Sequence, residues 1–142
     1  MSFQEKSTWT MLVLVVGVYG WYFFTILAQV GTEDVTDIAY RGMMLVTVIV
    51  LVVLAAAIHI VLAVASPDSA DKSDERDKEI NRFGEYVGGY VLGTGAVIAM
   101  GMAMFEVDYF WIANVILLSL VLSEITSALT KVVLYRRGSL SW

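Results

Sequence analysis

Four stretches of this chain are apolar enough, and long enough, to cross a bilayer, and little of the sequence lies outside them. They run Trp9 to Val30, Gly42 to Ser66, Tyr86 to Phe105 and Tyr109 to Thr130. A spanning helix needs about 20 predominantly apolar residues, and each stretch supplies them. Only His59 interrupts the second and Glu124 the fourth; the first carries no charge. In lipid the backbone must satisfy its own hydrogen bonds, so uninterrupted runs of this length fold as helices. The pattern predicts an all-α integral membrane protein, one domain over residues 1–142. Its four transmembrane helices span about 9–30, 42–66, 83–105 and 109–134, packed as an antiparallel bundle, with a loop at 67–82. The first stretch is too long for a signal-peptide core and has no small-x-small site before Thr32, so it is expected to stay in place.

Composition narrows the partners. Hydrophobic residues make up 58% of the 142 and charged residues 16%, against roughly 45–50% and about 25% in soluble domains. The mean hydropathy is +0.75. There is no cysteine, which removes disulfides, thiolate metal sites and cysteine chemistry. A net charge of −5 argues against nucleic acid as a partner. Orientation follows from lysine and arginine. Lys6, Lys72, Arg76, Lys78, Arg82, Lys131, Arg136 and Arg137 fall on the side of the termini and only Arg41 on the other. Basic residues stay inside, so both termini are expected to be cytoplasmic and the membrane to be the plasma (inner) membrane.

The connections divide the work. Gly31–Tyr40 carries Glu33, Asp34 and Asp37, and Glu106-Val107-Asp108 is a tight turn that makes spans three and four antiparallel neighbours. Trp9, Tyr22, Tyr40, Tyr109, Trp111 and Tyr135 lie near span boundaries, as an aromatic belt requires. The inner loop turns helical near Ser73. Acids crowd its first turn, where the helix dipole favours them, and Asp74/Lys78, Glu75/Lys78 and Glu79/Arg82 are spaced for pairing. That helix should run unbroken into span three. The Asp74–Arg82 run is either a solvated, self-paired helix end or a docking surface for a cytoplasmic regulator, with Asp74, Glu75, Arg76, Asp77 and Arg82 as its contacts. It lacks the central glycine and distal glutamate of an EF-hand, and it is not polybasic. Span three holds Gly84, Gly88, Gly89, Gly93, Gly95 and Gly101 of the chain's eleven glycines. Gly84/Gly88 and Gly89/Gly93 are overlapping GxxxG spacings, which admit close helix contact. They serve packing inside the bundle, or a face for a homodimer or a membrane-complex partner.

The run from His59 to Pro67, the Asp74-Glu75-Arg76-Asp77-Lys78-Glu79-Ile80 segment, Gly84 and Tyr90 lead into Phe110-Trp111-Ile112-Ala113-Asn114, Leu122-Ser123-Glu124-Ile125 and Tyr135-Arg136-Arg137-Gly138. Over about residues 55–138 this pattern resembles a family of small bacterial four-span inner-membrane proteins of unknown function. The resemblance implies the four-span architecture. Some of those relatives stand beside small helix-turn-helix regulators, which implies at most a sensing or immunity role.

Three ionisable groups fall at membrane depth in the inner half: His59, Glu85 and Glu124. At ~1.5 Å per residue His59 lies about 10 Å from the inner end of its span, and Glu124 roughly 16–18 Å from Arg136. An ionisable group at that depth costs about 2.5–3.5 kcal/mol on insertion scales, so it rarely lacks a partner or a task. At about 100° per residue, Ser127 and Lys131 share the face of Glu124, and Lys131 can snorkel outward. Asn114 lies about 80° away, so the polar path opens inward only. One reading has Glu124 bonded to His59 or Tyr90, pinning the helix order; another has it protonated and neutral. A third uses Glu124 and His59 as a proton relay or cation ligands. One histidine without cysteine is a poor metal or haem set, and Ser123 points about 100° from Glu124, leaving no nucleophile–base pair. No metal, cofactor or enzymatic activity is expected. The leading expectation is a non-enzymatic sensing or interaction protein acting through its cytoplasmic loop. The alternatives are a small oligomeric proton- or cation-coupled transporter and an accessory subunit of a membrane complex.

Overall fold

A computed structural model describes residues 3–65 and 74–137 of the chain. Four helices account for nearly all of them: α1 Phe3–Val30, α2 Tyr40–Ala65, α3 Glu75–Met104 and α4 Tyr109–Arg137. Each is long and apolar enough to cross a membrane. With 26 to 30 residues they reach about 39–45 Å at ~1.5 Å per residue, beyond a hydrocarbon core of ~30 Å. The excess falls mostly at the end carrying both termini. There α1 begins six residues before the expected span, at Phe3 rather than Trp9, and α3 runs unbroken from the charged Glu75–Arg82 turns into the glycine-rich segment. Pro67, the one proline, lies between α2 and α3 and interrupts neither. The Ser66–Ser73 part of the loop and Gly138 lie outside the described residues.

Caps and turns set the ends. Asp74 is the N-cap of α3, its carboxylate accepting from Glu75 N at 2.8 Å. The expected tight turn closes α3 onto α4. Phe105 N–H donates to Gly101 O, Val107 N–H to Met102 O, and Glu106 takes the left-handed conformation at φ 56°. The Asp108 carboxylate then accepts from Phe110 N at 2.8 Å and starts α4.

The helices run up and down in sequence order, but they do not close into a ring. The substantial interfaces are α3·α4, α1·α4 and α1·α2, so the order across the molecule is α2–α1–α4–α3. The expected bundle is thus an open row. The core is the α1·α4 seam, where Val15, Tyr19, Tyr22 and Ile26 pack on Phe110, Leu117 and Val121, with Ile38 of the α1–α2 connection closing the end opposite the termini. Within it Tyr22 donates to Asn114 Oδ1 at 2.9 Å, and Asn114 Nδ2 donates to Phe110 O at 2.8 Å. Tyr22 is fully buried, not turned to a lipid interface as its place near a span end suggested. Helix α2 is peripheral: Thr47 is its one buried residue, and Leu45, Val52, Val53, Ile60 and Val64 face outward. Such a continuous exposed apolar surface is unsustainable in water and suits hydrocarbon.

Glycine sets the α3·α4 distance, and only one stripe of it does so. A methyl group at Gly95 would overlap the Ser119 side chain, and one at Gly88 would sit 2.9 Å from Ser123 O. Ser123 Oγ meanwhile donates to Gly88 O at 2.8 Å. Gly89 and Gly93 have nothing within 4 Å of that position. They face outward with Glu85, Tyr86, Tyr90 and Thr94 along a shallow open groove. The expectation that Gly84, Gly88, Gly89, Gly93 and Gly95 share one packing role is therefore corrected: Gly84, Gly88 and Gly95 meet α4, and the other two do not.

Candidate functional site

At the end carrying the termini all four helices contribute to one polar cavity of about 230 Å³. From α1 come Gln4, Ser7, Thr8 and Met11; from α2, His59; from α3, Asn81. Helix α4 supplies Glu124, Ser127, Ala128 and Lys131, one face at i, i+3, i+4 and i+7. Four of the five residues expected to form an intramembrane polar site thus meet here: Glu124, His59, Ser127 and Lys131. The fifth, Glu85, stands outside the cavity on α3 and reaches it through Lys131.

His59 does not bond Glu124. Its Nδ1 lies 2.8 Å from Ala55 O, one turn earlier, and its Nε2 lies 3.0 Å from Ser7 Oγ. A carbonyl only accepts, so the Nδ1 proton is directed there. The Nε2 contact with the Ser7 hydroxyl holds one proton between the two atoms, on the hydroxyl or on the ring. This contact ties α2 to the first turns of α1, across 52 residues of sequence. Tyr90 is equally far from the expected role: its hydroxyl bonds that of Tyr86 at 2.8 Å, on the outward face of α3.

Lys131 leaves the cavity side of α4. Its stem crosses α3 where Gly84 has no side chain; a methyl group there would lie 2.6 Å from Lys131 Cγ and 2.7 Å from Cε. The ammonium then meets the Glu85 carboxylate on the far side as an ion pair, and Ser127 Oγ adds a long bond of 3.4 Å to the same oxygen. Glu124, by contrast, makes no hydrogen bond or ion pair among the described residues.

The charged start of α3 pairs only in part as its spacing suggested. Lys78 and Glu75 form an exposed ion pair at 2.9 Å, while Asp74 caps the helix instead of pairing with Lys78. Glu79 and Arg82 are exposed and form no ion pair among the described residues. Asp77 and Arg76 lie within electrostatic reach of the Tyr135 hydroxyl, together with Glu5. Next to Tyr135, the Arg136 guanidinium lies 5.6 Å over the Trp9 ring, so α1, α3 and α4 converge beneath the cavity.

Gln4, Ser7, Thr8 and Asn81 were not among the residues singled out from sequence. The signal was present: Gln4, Ser7, Thr8 and Met11 share one helical face, provided the first helix starts before Trp9. Among the described residues no three of His, Cys, Asp and Glu come together as a metal site. Comparison with family models, curated proteins and solved structures finds no match to this chain.

Proposed function

We propose that this chain is a non-enzymatic integral protein of the plasma membrane, with both termini cytoplasmic. It senses a small ligand in the polar cavity and passes its state to a cytoplasmic regulator through the charged start of α3. The observation that carries this reading is the continuity of α3 from Glu75 to Met104. Its first turns expose Glu75, Arg76 and Arg82, Asn81 on those same turns lines the cavity, and Gly84 and Glu85 engage Lys131. A change at Glu124 or Lys131 therefore acts on the rigid element that presents those charges. The excess of lysine and arginine on the terminal side supports the orientation.

Sensing is favoured over flux because the polar lining ends at Glu124. Beyond it Leu117 and Val121 are buried in the seam, and the next polar pair there, Tyr22 and Asn114, is spent on its own hydrogen bond. The test is in-cell photo-crosslinking from Arg76 and from Glu79, each replaced in turn by a benzophenone amino acid. A discrete adduct with a cytoplasmic protein is expected at both positions. Recovery of lipid and self-adducts alone would overturn the reading, as would Glu124-dependent ion flux into liposomes without any such partner.

A further inference from the structure

The geometry points to a ligand class for the cavity: a small monovalent cation that donates hydrogen bonds, of the ammonium or primary alkylammonium type, with Glu124 as its counter-charge. This rests on the sensing reading for its place in the cell, and on the cavity alone for its chemistry.

The charge comes first. Glu124 faces the cavity with no ion pair or hydrogen bond among the described residues, and the ammonium of Lys131, which lines the same cavity, is held by Glu85. His59 spends its Nδ1 on Ala55 O and its Nε2 on Ser7 Oγ, so neither ring nitrogen bonds Glu124. Lys131 is matched by Glu85, which leaves the Glu124 carboxyl without an ion-pair partner among the described residues. An unpaired carboxylate in an apolar helix is costly, so one positive charge is the favoured complement. A divalent ion would need several carboxylates, and no such group assembles among the described residues.

The hydrogen-bonding pattern then selects the kind of cation. The cavity's hydroxyls are already engaged: Thr8 Oγ1 donates to Gln4 O and Ser127 Oγ toward Glu85, while Ser7 Oγ is bonded to His59 Nε2. What these groups offer inward is lone pairs. The side-chain amides of Gln4 and Asn81 can each turn a carbonyl oxygen the same way. An acceptor-rich wall around a carboxylate matches an occupant with N–H donors. Size and the remaining wall agree. A volume of about 230 Å³ exceeds several waters at ~30 Å³ each, and Met11 and Ala128 give an apolar surface for a short alkyl chain. The same ammonium chemistry is carried by ethanolamine headgroups, so the occupant's source is either a free amine or the lipid itself.

The experiment is a thermal-unfolding titration of the full chain with ethylammonium chloride. It uses nanodiscs of phosphatidylcholine and phosphatidylglycerol, at ionic strength held constant with sodium chloride. A saturable rise in Tm is expected, with tetramethylammonium, which has no N–H, giving none. Glu124→Gln should weaken the apparent affinity at least tenfold. Repeating it with phosphatidylethanolamine discs separates the sources: a headgroup occupant raises Tm before any amine is added and blunts the titration, whereas a free amine gives the same curve in both membranes. The assignment is overturned if neither ethylammonium nor phosphatidylethanolamine raises Tm, if tetramethylammonium acts equally, or if Glu124→Gln titrates like the wild type. The tetramethylammonium comparison needs no variant and holds even if Glu124→Gln fails to fold. Absent amine binding with the crosslinked partner retained overturns the ligand class alone. A lost partner with amine binding intact overturns the sensing role alone.

Discussion

Tyr22 and Glu124 show how differently two polar residues in apolar helices are resolved. Tyr22 is fully buried and its hydroxyl is matched by Asn114, which in turn is tied to Phe110 O. Removing the hydroxyl strands Asn114 Oδ1 in the core. Tyr22→Phe should therefore lower stability by about 1–2 kcal/mol in reversible unfolding from bicelles, toward the upper end of what side-chain hydrogen bonds contribute in membranes. An unchanged stability would show that Asn114 finds another donor. Glu124 keeps no such bond and opens instead onto a cavity. Its importance was legible in the sequence because a lone carboxylate in an apolar stretch is expensive wherever it ends up. Its surroundings were not. His59 takes its partners from Ala55 one turn back and from Ser7, a residue that reaches the cavity only because α1 starts at Phe3. Residue spacing within one helix cannot report a contact made by another helix's extra turns.

Among the elements, α3 shows most clearly what periodicity can and cannot resolve. At about 100° per residue its glycines fall into two stripes, Gly84, Gly88 and Gly95 on one side and Gly89 and Gly93 some 140–180° from Gly84. The two stripes are equivalent as sequence, and only contact with α4 distinguishes them. Gly95→Ala forces a methyl group into Ser119 and should destabilise by about 1–3 kcal/mol, the usual range for overpacking. Ser119→Gly in the same chain should recover most of that loss, since the two positions share one volume. Gly89→Ala, with open space before it, should stay within about 0.5 kcal/mol of wild type. Unfolding of the three variants beside the wild type in one detergent series checks the set; equal effects at Gly89 and Gly95 would contradict the observed stripe. The turn between α3 and α4 was legible because three residues can join only antiparallel neighbours. The order of the remaining helices was not, because each exposes an apolar face all round and lipid tolerates any of them.

Over the whole molecule, four helices in an open row join an apolar half to a polar end that carries the termini. The orientation has a direct readout, because the chain lacks cysteine and single ones can be added cleanly. A cysteine replacing exposed Glu79 should react with a membrane-impermeant maleimide only after cells are opened, and one replacing exposed Thr36 should react in intact cells; the reverse pattern would invert the topology. At Gly84 the absence of one methyl group governs who occupies the terminal end. The gap lets the Lys131 stem pass to the far side of α3, where Glu85 holds the ammonium away from Glu124. Alanine at that position would press on Ser127 O at 3.1 Å, a contact to which α4 must yield by a few tenths of an ångström, and would turn the flexible Lys131 stem back toward the cavity. The protein would then be blocked by its own tethered amine, still folded yet deaf to ethylammonium, and Lys131→Met in the same chain should restore the response. Access to the cavity is in this sense written on α3, in a residue that does not line it.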